Sequence, residues 1–132
     1  MNELQNKGKK EIENNHLVLI PKIEDYIECI LNIITKLPRT EKFNIGNEYK
    51  TSIYNTLKKA LYIIKINRKE NIKEILKVLN EIDAELNCQR IYLRIMKKNN
   101  WIDIKKFDNS MGKIYEIGTI VGGLIKYYAK NH

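Results

Sequence analysis

The residues of this chain whose types and spacing suggest a chemistry are cations. Arg90, Arg94, Lys97 and Lys98 fall at i, i+4, i+7 and i+8, one stripe of a helix, and Lys105 and Lys106 continue the cluster across the next turn. A second group, Lys58, Lys59, Lys65, Arg68, Lys69, Lys73 and Lys77, is opposed within its own stretch by only Glu70 and Glu74. Such clusters hold phosphates by Coulomb attraction and counterion release, which gives binding that is indifferent to base sequence and steeply dependent on salt. With 24 Lys and Arg against 16 acids, the net charge of +8 points to RNA or DNA as partner. Tyr54, Tyr62 and Tyr92 stand among these cations, where they either stack on unpaired bases or close the edges of helix seams. Arg90 and Arg94 flank Gln89, and their forked guanidinium groups suit a phosphate or an ion pair with Glu85, Glu116 or a neighbouring subunit. The competing reading is a structural or interaction protein whose lysine content reflects an AT-rich genome.

Catalytic sets are missing. The histidines are His16, which precedes the first clear helical pattern, and His132, the last residue, so both read as terminal residues outside any site. No Arg precedes a His by four to six residues, as helical nucleases require, and no Ser-His-Asp or Cys-His set can be assembled. The acids Glu24, Asp25 and Glu28, and Glu81, Asp83 and Glu85, cluster near lysines and read as a solvated helix face or as i,i+4 pairs, not as metal ligands. The expectation is a non-enzyme with no metal and no cofactor. Cys29 and Cys88 read as core or boundary residues in a reducing cytoplasm, and no apolar run is long enough to span a membrane.

Four helical segments position these groups. Apolar residues recur at alternating three- and four-residue steps through Ile20, Ile23, Ile27, Ile30, Ile34 and Leu37, with Pro21 expected near the helix start and Pro38 ending the segment. The second seam is Tyr49, Ile53, Thr56 or Leu57, Ala60 and Ile64; the third is Ile72, Ile75, Leu79, Ile82, Leu86, Gln89, Leu93 and Met96. The fourth runs Ile104, Phe107, Met111, Ile114, Gly118, Val121, Ile125 and Tyr128 behind Asp103 as N-cap. Short loops make sequential helices antiparallel, so the fold class is all-α, an up-down-up-down four-helix bundle. Residues 1–16 have no seam and read as a flexible charged arm carrying Lys7, Lys9 and Lys10; residues 17–132 form the single bundle domain. The two basic clusters then lie at opposite ends of the bundle. Glycines at 118, 122 and 123 cost a helix about 1 kcal/mol each relative to alanine. Gly118, Gly122 and Gly123 therefore mark a close approach, either within the bundle or between subunits.

Three stretches carry a family resemblance. Leu37-Pro38-Arg39-Thr40-Glu41-Lys42-Phe43-Asn44-Ile45-Gly46 resembles the loop and helix start of the four-helix-bundle proteins related to the 23S rRNA intervening-sequence protein, as does Glu81-Ile82-Asp83-Ala84-Glu85-Leu86 followed by Arg90 and Leu93-Arg94. Glu116-Ile117-Gly118 with Gly122-Gly123-Leu124 is similar to the accessory variability determinant (Avd) branch of diversity-generating retroelements. Arg39 stands where that family commonly has Lys, and Leu124 where a Trp is expected. The resemblance implies a homopentamer of four-helix bundles that binds a reverse transcriptase and its template RNA and supports mutagenic cDNA synthesis without catalysing it. Arg90 and Arg94 match the family's arginine pair. The wider family also contains a ribosome-associated alternative.

Overall fold

The computed structural model describes residues 3–130, with side chains from residue 8 onward; His132 lies outside this range, as does the side chain of Lys7. The elements are α1 (Glu3–Thr35), α2 (Arg39–Phe43), α3 (Ile45–Lys65), α4 (Ile72–Lys98) and α5 (Ile104–Lys130). The four long helices pack as a ring in which α1 touches α3 and α5, and α4 touches α3 and α5. The protein is thus an antiparallel up-down-up-down four-helix bundle, with α2 a single turn in the first connection.

The third seam is buried along its length, from Ile75 through Leu79, Ile82 and Leu86 to Leu93 and Met96, with Gln89 as inaccessible as its apolar neighbours. In α3 the seam shifts by one residue at its end: Ile63 is buried and Ile64 is exposed, because the three-residue step from Ala60 keeps the buried face aligned. In α5 the expected seam is only partly buried: Ile114, Val121 and Tyr128 are buried, Phe107, Met111, Gly118 and Ile125 half-buried and Ile104 exposed, while the buried face also takes in Ser110, Ile117, Ile120 and Leu124, as a helix flanked by two neighbours requires.

The largest departure from expectation is α1. It begins at Glu3, and the segment read as a charged arm is helical, with Ile12 and His16 buried in line with Leu19 and Ile23. A histidine occupying an apolar seam position hides the periodicity that Ile12 would otherwise extend. Pro21 accordingly lies inside the helix and not at its start. Its missing N–H cannot serve the Leu17 carbonyl, but Leu17 and Pro21 share the exposed face, where water can.

Helix ends follow local chemistry. Asp103 caps α5 by accepting the Lys106 backbone N–H at 2.8 Å. At the end of α4, Asn100 adopts φ 60°, Trp101 N–H donates to Met96 O at 2.9 Å and Asn100 N–H to Lys97 O at 3.0 Å, a Schellman closure built on asparagine. Pro38 ends the first segment as expected, and its carbonyl receives the Glu41 and Lys42 amides to start α2. Gly46 is a close-approach residue: a Cβ there would lie 3.1 Å from Ile34 Cγ2 and 3.3 Å from Glu41 O. A side chain there would require Ile34 or the Glu41 carbonyl to give by a few tenths of an ångström.

Candidate nucleic-acid interface

The connections divide between the two ends of the bundle. Residues 66–71 share one end with the start of α1 and the close of α5; residues 36–44 and 99–103 share the other. Lys58, Lys59, Arg68, Lys69, Lys73 and Lys77 therefore gather around the first end, and Arg94, Lys97, Lys98, Lys105 and Lys106 around the second. Arg90 sits two turns inside α4.

Most of these cations form no ion pair among the described residues. Among the described residues, Lys59 pairs with Glu81 at 3.6 Å and Arg68 with Glu13 at 2.8 Å, and the remaining ion pair joins Lys22 to Glu116 at 2.9 Å. Lys58, Lys69, Lys73, Lys77, Arg94, Lys98 and Lys105 are exposed and take part in none of them. Lys97 lies 4.6 Å over the Phe107 ring, which orients it and leaves its charge in place. Lys97 and Lys98 also occupy the last turn of α4, where the carbonyl end of the helix favours positive charge, so local stability accounts for part of their placement.

The arginine pair separates. Arg90 donates to Asn87 Oδ1 at 2.6 Å and lies across Gly118, where a Cβ would come within 2.9 Å of its Nη2. Neither Glu85 nor Glu116 pairs with it: Glu85 accepts from Ser52, and Glu116 is held by Lys22, which keeps its carboxyl below the usual range. Arg94 is exposed. Of the three glycines, Gly118 is thus the seat of the Arg90 guanidinium; Gly122 faces open space, and a Cβ at Gly123 would lie 3.6 Å from Asn15 Nδ2, an ordinary contact.

The tyrosines divide in the same way. Tyr54 and Tyr62 are exposed among the cations of α3, whereas Tyr92 packs on Tyr49 with ring centroids 5.6 Å apart. A hydrogen bond with Cys88, then burial, pushes the Tyr92 phenol up to about 12. Cys88 is exposed and not at the core boundary, while Cys29 is half-buried and both thiols are free.

Two buried polar groups were not legible in the sequence. In the first, Tyr26 O–H donates to Gln89 Oε1 at 2.9 Å, so its oxygen accepts the Tyr49 O–H at 2.6 Å, since a phenol has one proton to give. Gln89 Nε2 donates to Ser52 Oγ at 2.9 Å and Thr56 Oγ1 at 3.0 Å; Ser52 donates to Glu85 Oε2 at 2.5 Å and Thr56 to Ser52 O at 3.0 Å. Every donor is used, and α1, α3 and α4 are fixed in register. Burial raises the Tyr26 and Tyr49 phenols well above their ordinary value, so both stay neutral.

The second group lies at the first end. His16 Nε2 meets Tyr128 Oη at 2.8 Å, and its Nδ1 is buried without a hydrogen-bond partner. Burial, then the Arg68 guanidinium nearby, lowers the imidazole to about 4. The reading of His16 as a terminal residue outside the fold is therefore corrected: it is a neutral core histidine. No three His, Cys, Asp or Glu side chains converge as metal ligands would among the described residues, and no described helix is long and apolar enough to cross a membrane.

A model of the bAvd-like family matches residues 17–128 of the chain. No curated protein and no solved structure matches it.

Proposed function

Since the chain belongs to the bAvd-like family, we propose that it is a non-catalytic accessory subunit that binds a reverse transcriptase and its template RNA in a diversity-generating retroelement, supporting mutagenic cDNA synthesis in the cytoplasm. The observation that supports this reading is the run of exposed cations at the two ends of the bundle that form no ion pair among the described residues. Phosphates that replace solvent at Arg94, Lys98 and Lys105 at one end, or at Lys58, Lys69, Lys73 and Lys77 at the other, have no salt bridge among the described residues to break first. Both ends can act on one polyanion, or one can hold RNA while the other meets an acidic surface of the polymerase.

Assembly into a homopentamer is part of the proposal. Gly122 faces open space in the single chain, and a neighbouring subunit's backbone would give its missing side chain a purpose.

The deciding measurement is RNA affinity against salt for the wild type and for Arg90→Ala/Arg94→Ala/Lys97→Ala. Every phosphate that the protein no longer neutralises takes about 0.7 to 0.9 off the log–log salt slope, so the triple variant flattens it by about 2. Undetectable RNA binding by the wild type at low salt would rule the reading out. Sedimentation tests the pentamer, and a monomer across micromolar concentrations contradicts it.

A further inference from the structure

The exposed face of α4 joins the two basic ends in one line. Lys73 and Lys77 near its start and Arg94 and Lys98 near its close fall on a single stripe with Asn80, Ala84, Asn87 and Ile91, each reached from the last by a step of four or three, and all are exposed. The stripe extends over about 37 Å of helix, with an uncharged middle of about 26 Å between Lys77 and Arg94. It holds no acid, and none of its four cations forms an ion pair among the described residues. The acids of α4 lie beside it and are half-buried: Glu81 pairs with Lys59, Glu85 accepts from Ser52 and Glu74 from Tyr62, which leaves Asp83 without such a partner among the described residues.

The opposite side of the molecule has the opposite sign. α1, diagonally across the ring, exposes Glu24, Asp25 and Glu28 and has no Lys or Arg from Ile23 to Thr35. A polyanion is therefore drawn to α4 and turned away from α1.

The spacing of the charges selects the form of the polyanion. A single strand is one phosphate track, and the groove that follows it is cationic along its length. A duplex instead presents two phosphate rows with a groove between them, and the α4 stripe has this second pattern. In double-helical RNA the accessible groove is the minor one, wide, shallow and edged with 2′-hydroxyls, whereas the minor groove of B-form DNA is too narrow for a helix. The middle of the stripe suits such a surface. Ala84 projects little; Asn80 donates Nδ2 to the Leu76 carbonyl at 2.8 Å and keeps Oδ1 as an acceptor; Asn87 accepts from Arg90 at 2.6 Å through Oδ1 and keeps Nδ2 as a donor. A 2′-hydroxyl both gives and takes a hydrogen bond, so it answers either asparagine. An acidic protein surface accounts for the cations and leaves the two asparagines unexplained.

We propose that the outer face of α4 is the binding surface for double-helical RNA, lying across its minor groove with Lys73 and Lys77 on one phosphate row, Arg94 and Lys98 on the other, and Asn80 and Asn87 at the 2′-hydroxyls. The inference rests on the RNA-binding reading above and adds to it the form of the RNA and the helix that receives it.

The test titrates the full chain with a short RNA duplex, with one of its strands alone and with the DNA duplex of the same sequence. The wild type binds the RNA duplex most tightly, on the order of tenfold over the DNA duplex, as two hydrogen bonds would give. Asn80→Ala/Asn87→Ala brings the two duplexes level and leaves the salt dependence unchanged. Lys77→Gln/Arg94→Gln takes about 2 off the log–log salt slope for the RNA duplex, whereas Lys36→Gln/Lys126→Gln, which removes the same charge from other exposed positions, leaves the slope as it is. Circular dichroism and sedimentation check that each variant keeps its fold and assembly. A single strand bound as tightly as the duplex, or a slope flattened equally by the Lys36 and Lys126 pair, overturns the α4 assignment and leaves RNA binding standing. Equal wild-type affinity for the RNA and DNA duplexes overturns the minor-groove contact. If Lys77→Gln/Arg94→Gln disturbs sedimentation and not RNA affinity, the face belongs to a contact between copies and the proposal is overturned. Absence of binding to any form of RNA at low salt overturns both readings.

Discussion

Gln89 and His16 are both buried polar residues on helix seams, and their surroundings treat them in opposite ways. Around Gln89 each donor has an acceptor and the row of bonds crosses three helices; around His16 one ring nitrogen is bonded and the other has no partner. A saturated network inside a low-dielectric core fixes one arrangement and resists titration, whereas a half-satisfied one leaves the site responsive to protons. The middle of this bundle therefore holds a single arrangement, and the first end keeps a buried imidazole that only acid can charge.

Breaking the saturated side has the largest expected effect. Gln89→Ala opens a cavity and removes the partners of Tyr26, Ser52 and Thr56 at once, and it lowers stability by about 3 kcal/mol, read from urea unfolding. A drop below about 1 kcal/mol would mean that the network adds little to the apolar packing around it.

Acid is the sharper probe of the other side. The unfolded imidazole takes up its proton near 6.5, while the folded one stays neutral down to about 4. As pH falls through that window the unfolded state binds more protons and stability is lost; above 6.5 both states are neutral and the contribution is flat. Between pH 6.5 and 4.5 the wild type should lose about 2 kcal/mol more than His16→Gln, which keeps an acceptor for Tyr128 and does not titrate. Parallel pH profiles for the two proteins would show that His16 is not the responsive group.

The smallest effect is expected at Gly122. Nothing lies within 4 Å of a Cβ there, so Gly122→Ala should stabilise the single chain. The gain is about 0.5–1 kcal/mol from helix propensity alone. If subunits pack on this face, the same substitution weakens assembly, and sedimentation measured beside thermal unfolding separates the two consequences.

Sequence periodicity was sufficient for the architecture because each seam is a property of one helix. The stretch from Ile75 to Met96 is readable without knowing what it packs against, including its polar intruder at Gln89. What Gln89 bonds to was not readable, since Tyr26 and Ser52 reach it from other helices, 63 and 37 positions away in the chain. The same reasoning applies to the candidate interface. The basic residues could be identified by type and their ends of the bundle by topology, but which cations are left unopposed depends on pairs such as Arg68 with Glu13, 55 positions apart. The first half of α1 was missed for a different reason: one histidine replaced one apolar residue at the point where the pattern had to continue.

Pro21 gives that helix a second character. Geometrically α1 is continuous from Glu3 to Thr35, yet the hydrogen-bond ladder is interrupted at the proline. Cooperativity along a helix is carried by that ladder, so fraying that starts at the amino terminus meets a natural boundary there. The segment before the proline is tied to the bundle by the burial of Ile12, by His16 to Tyr128 and by Glu13 to Arg68, and the remainder is held separately through Tyr26. One rod thus has two independent moorings to the bundle, one on each side of the break in its ladder.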